Sequence, residues 1–277
     1  MGIKNLGQRS ETQFEEPIEQ GIREVMKQGV ENSWQQGGPE QGGGSAVRLE
    51  EENFGEEKED GFTDLAQGDK VVYLTFDDGP CESTSRLLDV LEELGVKATF
   101  FVTGQYFGEE ELLARLQEIV RRGHTLAVHT YSHRYEEIYA SKEAFWEDYE
   151  HMAALVERAS GRENRLFRFP GGSNTGRNAE IRQELLQESR ERGLIYHDWN
   201  SFVGDTEEAS PQQMLEKAVG EVLLHQKSVM LLHNTPDKEA VIEILPQIVE
   251  KLRQEGYRFA ELDETVRPFQ FAVQPAS

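Results

Sequence analysis

The stretch Val71-Val72-Tyr73-Leu74-Thr75-Phe76-Asp77-Asp78-Gly79-Pro80 sets the reading of this chain. Its apolar run is rich in β-branched and aromatic residues and is closed by Gly-Pro, which predicts a buried strand ending in a turn. Asp77 and Asp78 then stand at the carboxyl end of that strand, where α/β proteins place their chemistry. Two adjacent carboxylates repel one another unless a positive charge lies beside them. A metal ion is the simplest such charge. An Asp-Asp-Gly string alone also suits a solvated surface turn, so the other strand ends must decide between the two.

Outward from Asp77 the chain alternates strands and helices. Strands are expected over 71–76, 98–102, 125–128, 166–168, 194–199, 228–232 and 258–260, and helices over 83–94, 109–121, 142–160, 179–192, 211–225 and 239–255. The first helix shows the signal: Leu87, Leu88, Leu91 and Leu94 recur on one face, and Gly95 stops it. This rhythm predicts an α/β protein with a largely parallel sheet or a (β/α) barrel. About seven such units suit a barrel short of the usual eight strands. The pattern does not separate that barrel from an open doubly wound sheet.

Polar groups stand at further strand ends. After 125–128 comes His129-Thr130-Tyr131-Ser132-His133. Its histidines are four residues apart, so one helical turn would set both imidazoles on one side. Two His and one Asp make a three-ligand set that leaves a position open for water. The next strand runs into Arg168-Phe169-Pro170-Gly171-Gly172, a cation beside backbone that glycine leaves open to a substrate. An Arg salt bridge in an ordinary turn fits the same string. The segment 194–200 leads to Val203-Gly204-Asp205-Thr206, and Met230-Leu231-Leu232 delivers His233. His124, in the turn Arg122-Gly123-His124, is expected to be solvated. His197 reads as structural, and His151 and His225 receive no role. The single cysteine, Cys81, excludes an internal disulfide and a Cys-based zinc site, and reads as a small space-filler.

Taken in order, residues 75–80, 129–133, 168–172, 199–205 and 231–233 resemble the five motifs of the polysaccharide deacetylases, carbohydrate esterase family four with its NodB-homology domain. The resemblance spans about residues 70–271. It implies a distorted (β/α) barrel and hydrolysis of an N-acetyl amide on an amino-sugar polymer. It further implies Asp78, His129 and His133 as ligands of a divalent metal ion. Zinc is the first choice, and the same ligand types accept cobalt or nickel. Asp77 corresponds to the general base, Arg168 to its partner and His233 to the general acid. Asp205 corresponds to the carboxylate that tunes His233, with Asp198 as its competitor. Gly171, Gly172, Trp199 and Leu231 fall where the family meets substrate, Gly171 offering its N–H to an oxyanion. Two positions depart from the family pattern: Gly171 stands where an aromatic residue is frequent, and Thr206 where Trp is frequent. Residues 168–173 with 196–205 resemble the bacterial cell-wall branch, so peptidoglycan N-acetylglucosamine is the expected substrate. Chitin oligosaccharides, other polysaccharides and O-acetyl esters are the alternatives, followed by a catalytically silent glycan-binding role.

Residues 1–69 differ in kind. Gly, Gln and Glu dominate and large apolar residues are sparse, which predicts a mostly disordered acidic tail or linker. One weak amphipathic helix is expected over 18–30, and the catalytic domain is assigned to 70–277. The 277 residues carry 52 acidic against 29 basic side chains, a net charge of −23. Such acidity argues against nucleic acid as partner and leaves a glycan open. No apolar run reaches the length of a membrane helix, and no basic segment with an apolar core opens the chain. A cell-wall substrate nonetheless implies an extracytoplasmic location, at the cell wall or cell surface.

Overall fold

The computed structural model describes residues 12–32, 62, 63, 66 and 68–272. Helix α1 (Thr12–Asn32) comes first. Then follow β1 (Val71–Asp77), α2 (Thr84–Glu93), β2 (Thr99–Val102), α3 (Glu109–Arg121), β3 (Thr125–Val128), the single turn α4 (Tyr135–Ile138) and α5 (Lys142–Ser160). The chain continues with β4 (Leu166–Phe167), α6 (Arg182–Glu191), β5 (Ile195–Tyr196), β6 (Ser201–Phe202), α7 (Pro211–Val222), β7 (Lys227–His233), α8 (Glu239–Gln254) and β8 (Arg258–Ala260).

All strand pairings are parallel, in the order β5-β4-β3-β2-β1-β7-β6. Central β1 pairs with β7 along its whole length. Its other edge is shared: β8 lies opposite residues 71–73 and β2 opposite 75–77. The end strands β5 and β6 do not pair with each other, so the curled sheet is a distorted (β/α) barrel open on one side. His197-Asp198-Trp199-Asn200 crosses that opening. The C-terminal segment lies over it: Asp198 N donates to Phe269 O at 2.8 Å, and Phe271 N donates to Asp198 Oδ2 at 2.8 Å.

The two-residue period of a strand sorts β1 between two cores. Val72, Leu74 and Phe76 face the helices, whereas Val71 and Tyr73 join Phe101, Ala127, Leu166, Ile195 and Val229 in a smaller core within the sheet's concave side. The same parity carries Thr75 and Asp77 inward above Tyr73. It brings His129 inward two residues after Ala127, Arg168 two after Leu166, and His233 four after Val229. The site is therefore a consequence of where four parallel strands stop.

Helix ends are fixed locally. Ser210 and Gln213 form a reciprocal capping box with Pro211 in the first turn of α7, and Ser141 caps α5 by accepting from Ala144 N. The helix expected over 18–30 lies within α1, which packs on α7. Ile22 is buried, and a Cβ on Gly220 would approach Val25 Cβ to 2.8 Å, so only glycine lets the helices come this close. The expected tail at 1–11 and 33–61 falls outside the described residues. Thr63 already belongs to the folded part, its N–H donating to Thr265 O at 2.7 Å.

Three local expectations are corrected. The expected strand 194–199 is only Ile195–Tyr196, and the chain re-enters the sheet as β6, a two-residue strand too short to carry a periodic signal. The pair His129 and His133 is not on a helix (see below). His124 is buried rather than solvated: its Nδ1 accepts from Ala98 N at 3.1 Å, and burial, with Lys97 and Arg122 nearby, lowers its pKa to about 4.

Candidate active site

Asp77 and Arg168 form the buried base of the site. Arg168 is fully buried, and its Nη1 donates to Asp77 Oδ1 at 2.6 Å and to Thr75 Oγ1 at 2.9 Å. Its Nε donates to His197 O at 2.8 Å and its Nη2 to Asp198 O at 3.1 Å. The guanidinium also lies 4.0 Å above the Phe101 ring. A charge this deep survives only because its donors are answered and a carboxylate faces it. Burial raises Asp77 to about 6, outweighing the opposing attraction of Arg168. A carboxylate of that basicity accepts a proton readily near neutral pH.

Beside this pair lies a different kind of cluster. One ligand atom each of Asp78, His129 and His133 falls within 4.8 Å of the others. His133 Nε2 is 3.1 Å and His129 Nε2 3.6 Å from Asp78 Oδ1. His129 Nδ1 is 2.8 Å from Arg168 O, a contact that places the proton on Nδ1 and leaves Nε2 as a lone pair. Asp78 Oδ1 is buried and makes no hydrogen bond. An unpartnered carboxylate oxygen facing two imidazole nitrogens fits a divalent cation. The backbone is bent to achieve this: Asp78, Thr130 and His133 have φ of 72°, 69° and 53°. Such left-handed conformations are costly for non-glycine residues and cluster where function demands them. The expected helical turn between the histidines is replaced by this loop, which brings both imidazoles to Asp78.

His233, at the end of β7, is in register with Asp77 on β1. Its Nδ1 lies 2.9 Å from Asp205 Oδ1, and its backbone N–H donates to Asp205 Oδ2 at 2.8 Å. Burial disfavours the imidazolium, but the hydrogen bond and charge of Asp205, with Asp78 and Asp77 beyond, raise its pKa to about 9. Asp198 is elsewhere. Its carboxylate accepts from Ser173 N, Ser173 Oγ and Phe271 N, tying the loop after β4 to the C-terminal segment.

Gly171 and Gly172 both adopt positive φ, 74° and 88°. A Cβ at Gly172 would come within 2.9 Å of Phe271 and 3.1 Å of Trp199. Trp199 packs edge-on against Phe271, and Leu231 is buried in β7 one strand from Asp77. Of the expected substrate contacts, only Gly171 is exposed beside the cluster. Three residues escaped the sequence reading. Asp148 on α5 accepts from Tyr131 N at 2.6 Å and Ser132 N at 3.0 Å, pinning the loop that carries both histidines. No local signal marks it. Tyr135 stands edge-on to His133 with ring centroids 5.1 Å apart. Burial and the charges of Asp78 and Asp77 raise its phenol to about 12. Thr75 donates to Met230 O at 2.7 Å and accepts from Arg168; its inward parity with Asp77 was the available clue.

Comparison with known proteins follows the same lines. A family described as polysaccharide deacetylase matches residues 64–189. The chain is 32% identical over 211 residues to YheN of Bacillus subtilis (strain 168), a protein named as a polysaccharide deacetylase, covering 73% of this chain and 70% of that one. It is 27% identical over 201 residues to a peptidoglycan-N-acetylglucosamine deacetylase of Bacillus cereus, covering 70% of each. The crystal structure of the catalytic domain of peptidoglycan N-acetylglucosamine deacetylase from Eubacterium rectale superposes with a TM-score of 0.71 at 35% identity, covering 76% of this chain and 96% of that one.

Proposed function

This chain belongs to the polysaccharide deacetylase family, and on that premise we propose that it removes the N-acetyl group of N-acetylglucosamine in peptidoglycan, using a divalent metal ion. The observation that carries the reading is the cluster of Asp78, His129 and His133, with its orphaned Asp78 Oδ1, set beside Asp77. Asp78 Oδ and the two Nε2 atoms would hold the ion, zinc by preference. A divalent cation there supplies Lewis acidity to an acetyl carbonyl and acidifies a water.

The chain's own residues divide the remaining work. Asp77 Oδ2 faces the cluster 3.6 Å from His129 Nε2, while Oδ1 is held by Arg168. Asp77 takes the proton of the attacking water as its oxygen bonds to the acetyl carbon. The Gly171 N–H, on a loop held at positive φ, donates to the developing oxyanion. His233, protonated through Asp205, gives its proton to the sugar nitrogen as the C–N bond breaks. The products are acetate and a free amine. A peptidoglycan substrate places the enzyme outside the cytoplasm. Among the described residues no helix is long and apolar enough to cross a membrane.

Acetate release from N-acetylated peptidoglycan, with chelator and then with zinc restored, tests this reading. Release abolished by chelator and recovered with zinc is the expected result. Release from chitin oligomers or O-acetyl esters alone would move the substrate, and chelator-insensitive release would remove the metal from the reaction.

A further inference from the structure

A second charged feature lies next to the cluster and takes no part in the chemistry above. The 3₁₀ turn Gly176–Asn178 follows Gly171 and Gly172, and Arg177 projects from it. Its guanidinium lies over the Tyr135 ring, 5.1 Å from the centroid, and Tyr135 in turn touches His133. A Cβ at Gly171 would meet the same Tyr135 at 3.2 Å. Arg177 thus stands at the rim of the site, one aromatic ring away from the His133 ligand.

Two properties of Arg177 bear on what it can bind. First, no carboxylate pairs with it among the described residues. Arg134, next in sequence to Tyr135, is by contrast paired with Glu137 at 2.7 Å. Second, its turn is braced from beneath. Asn178 is buried, with Nδ2 donating to Ser173 O at 3.2 Å and Oδ1 accepting from Arg182 Nε. Arg182 Nη2 also donates to Asn174 O and Thr175 O. The turn therefore keeps its position relative to Gly171.

The guanidinium, held over the Tyr135 ring, makes no hydrogen bond or ion pair among the described residues, so its N–H groups can bind a carboxylate in bidentate fashion. We propose that Arg177 is a substrate-selecting residue that receives a carboxylate carried by the glycan on a sugar neighbouring the one deacetylated. The inference rests on the deacetylase reading and sharpens its substrate class toward anionic glycans. It also resolves a conflict of charge. A protein at −23 repels an anionic polymer, but screening over about 8 Å at physiological salt leaves a local cation in command at short range.

The test uses three β-1,4 oligosaccharides of one length. One alternates N-acetylglucosamine with N-acetylmuramic acid bearing free lactyl carboxylates, the second is its methyl ester, and the third is a chitin oligomer. For the full chain with zinc, kcat/KM for the carboxylate form relative to its ester is expected to fall about tenfold in Arg177→Gln, mainly through KM. Arg177→Lys should retain part of the preference, because charge remains while the planar fork is lost. The same ratio, read as Kd in the metal-free protein, should fall in parallel. An equal ratio in the parent and Arg177→Gln, in both kcat/KM and Kd, overturns the proposal. If no oligosaccharide releases acetate, the deacetylase reading fails, and the Kd ratio alone still decides the role of Arg177.

Discussion

The two sides of the site are built on opposite rules. Among Asp77, Arg168, Asp205 and His233, charged groups are answered within the protein: Asp77 by Arg168, Arg168 by two backbone carbonyls and Thr75, and Asp205 by both nitrogens of the His233 residue that face it. At the cluster of Asp78, His129 and His133, Asp78 Oδ1 has no hydrogen bond and two imidazole nitrogens point at it. The first side is a scaffold that holds its shape alone. The second is incomplete by itself, and its backbone is bent to keep it so. At Asp78 the missing partner coincides with two facing imidazoles, which is what makes it a place for something else to bind.

The comparison can be broken most sharply at the incomplete side. Replacing Asp78 with Ala should abolish acetate release. Zinc at a hundredfold excess over its Kd should stabilise the parent against heat by about 2.7 kcal/mol and leave the variant's melting temperature unmoved. Equal stabilisation of both proteins would mean the ion binds elsewhere. Without metal, Asp78→Asn should cost little, since an unanswered charge is removed.

Next in size is the answered side. Arg168→Met keeps bulk but strands Asp77 without a counter-charge, and should destabilise by about 3–5 kcal/mol in urea unfolding. A cost below about 1 kcal/mol would show that Asp77 is not held in this way. Asp205→Asn is subtler. In the metal-free protein the NMR titration of His233 should move from about 9 down toward the ordinary 6.5. The sign follows for stability: the folded pKa is raised, so the pair's contribution is complete below about 6.5 and is lost as pH rises through 9. The variant should lack that loss between neutral pH and 9.

The smallest effect is expected at Cys81, buried with its Sγ near Asn234 Nδ2 at 3.5 Å. Cys81→Ala should cost about 1 kcal/mol, as for the loss of one small buried group, and leave acetate release within twofold. Abolished release would assign the thiol a part in the chemistry.

Much of this was legible in the sequence, for reasons that also explain what was not. Asp77, Asp78, His129, Arg168 and His233 each follow a buried run at a strand's carboxyl end, so local pattern found them. The alternation of elements gave a parallel sheet. Strand β6 and turn α4 are too short for periodicity to register. The partners Asp148 and Thr75 act across long sequence separations that no local pattern encodes. The loop from His129 to His133 carries the right residues at a helical spacing but takes left-handed backbone at Thr130 and His133 instead, and so brings both imidazoles to Asp78. His124 sits in a turn yet is covered by Phe100 and bonded to Ala98, a tertiary fact.

The central strand is finished late. One whole edge of β1 waits for β7, half of the other waits for β8, and the opening of the barrel waits for Phe269 and Phe271. A ribosome that has made Asp78, His129 and His133 has therefore not yet made the strands that complete β1. A nascent chain halted before Lys227 carries an unpaired apolar strand edge, an invitation to association with other chains. The enzyme's vulnerable period is the span of synthesis between its first motif and its last.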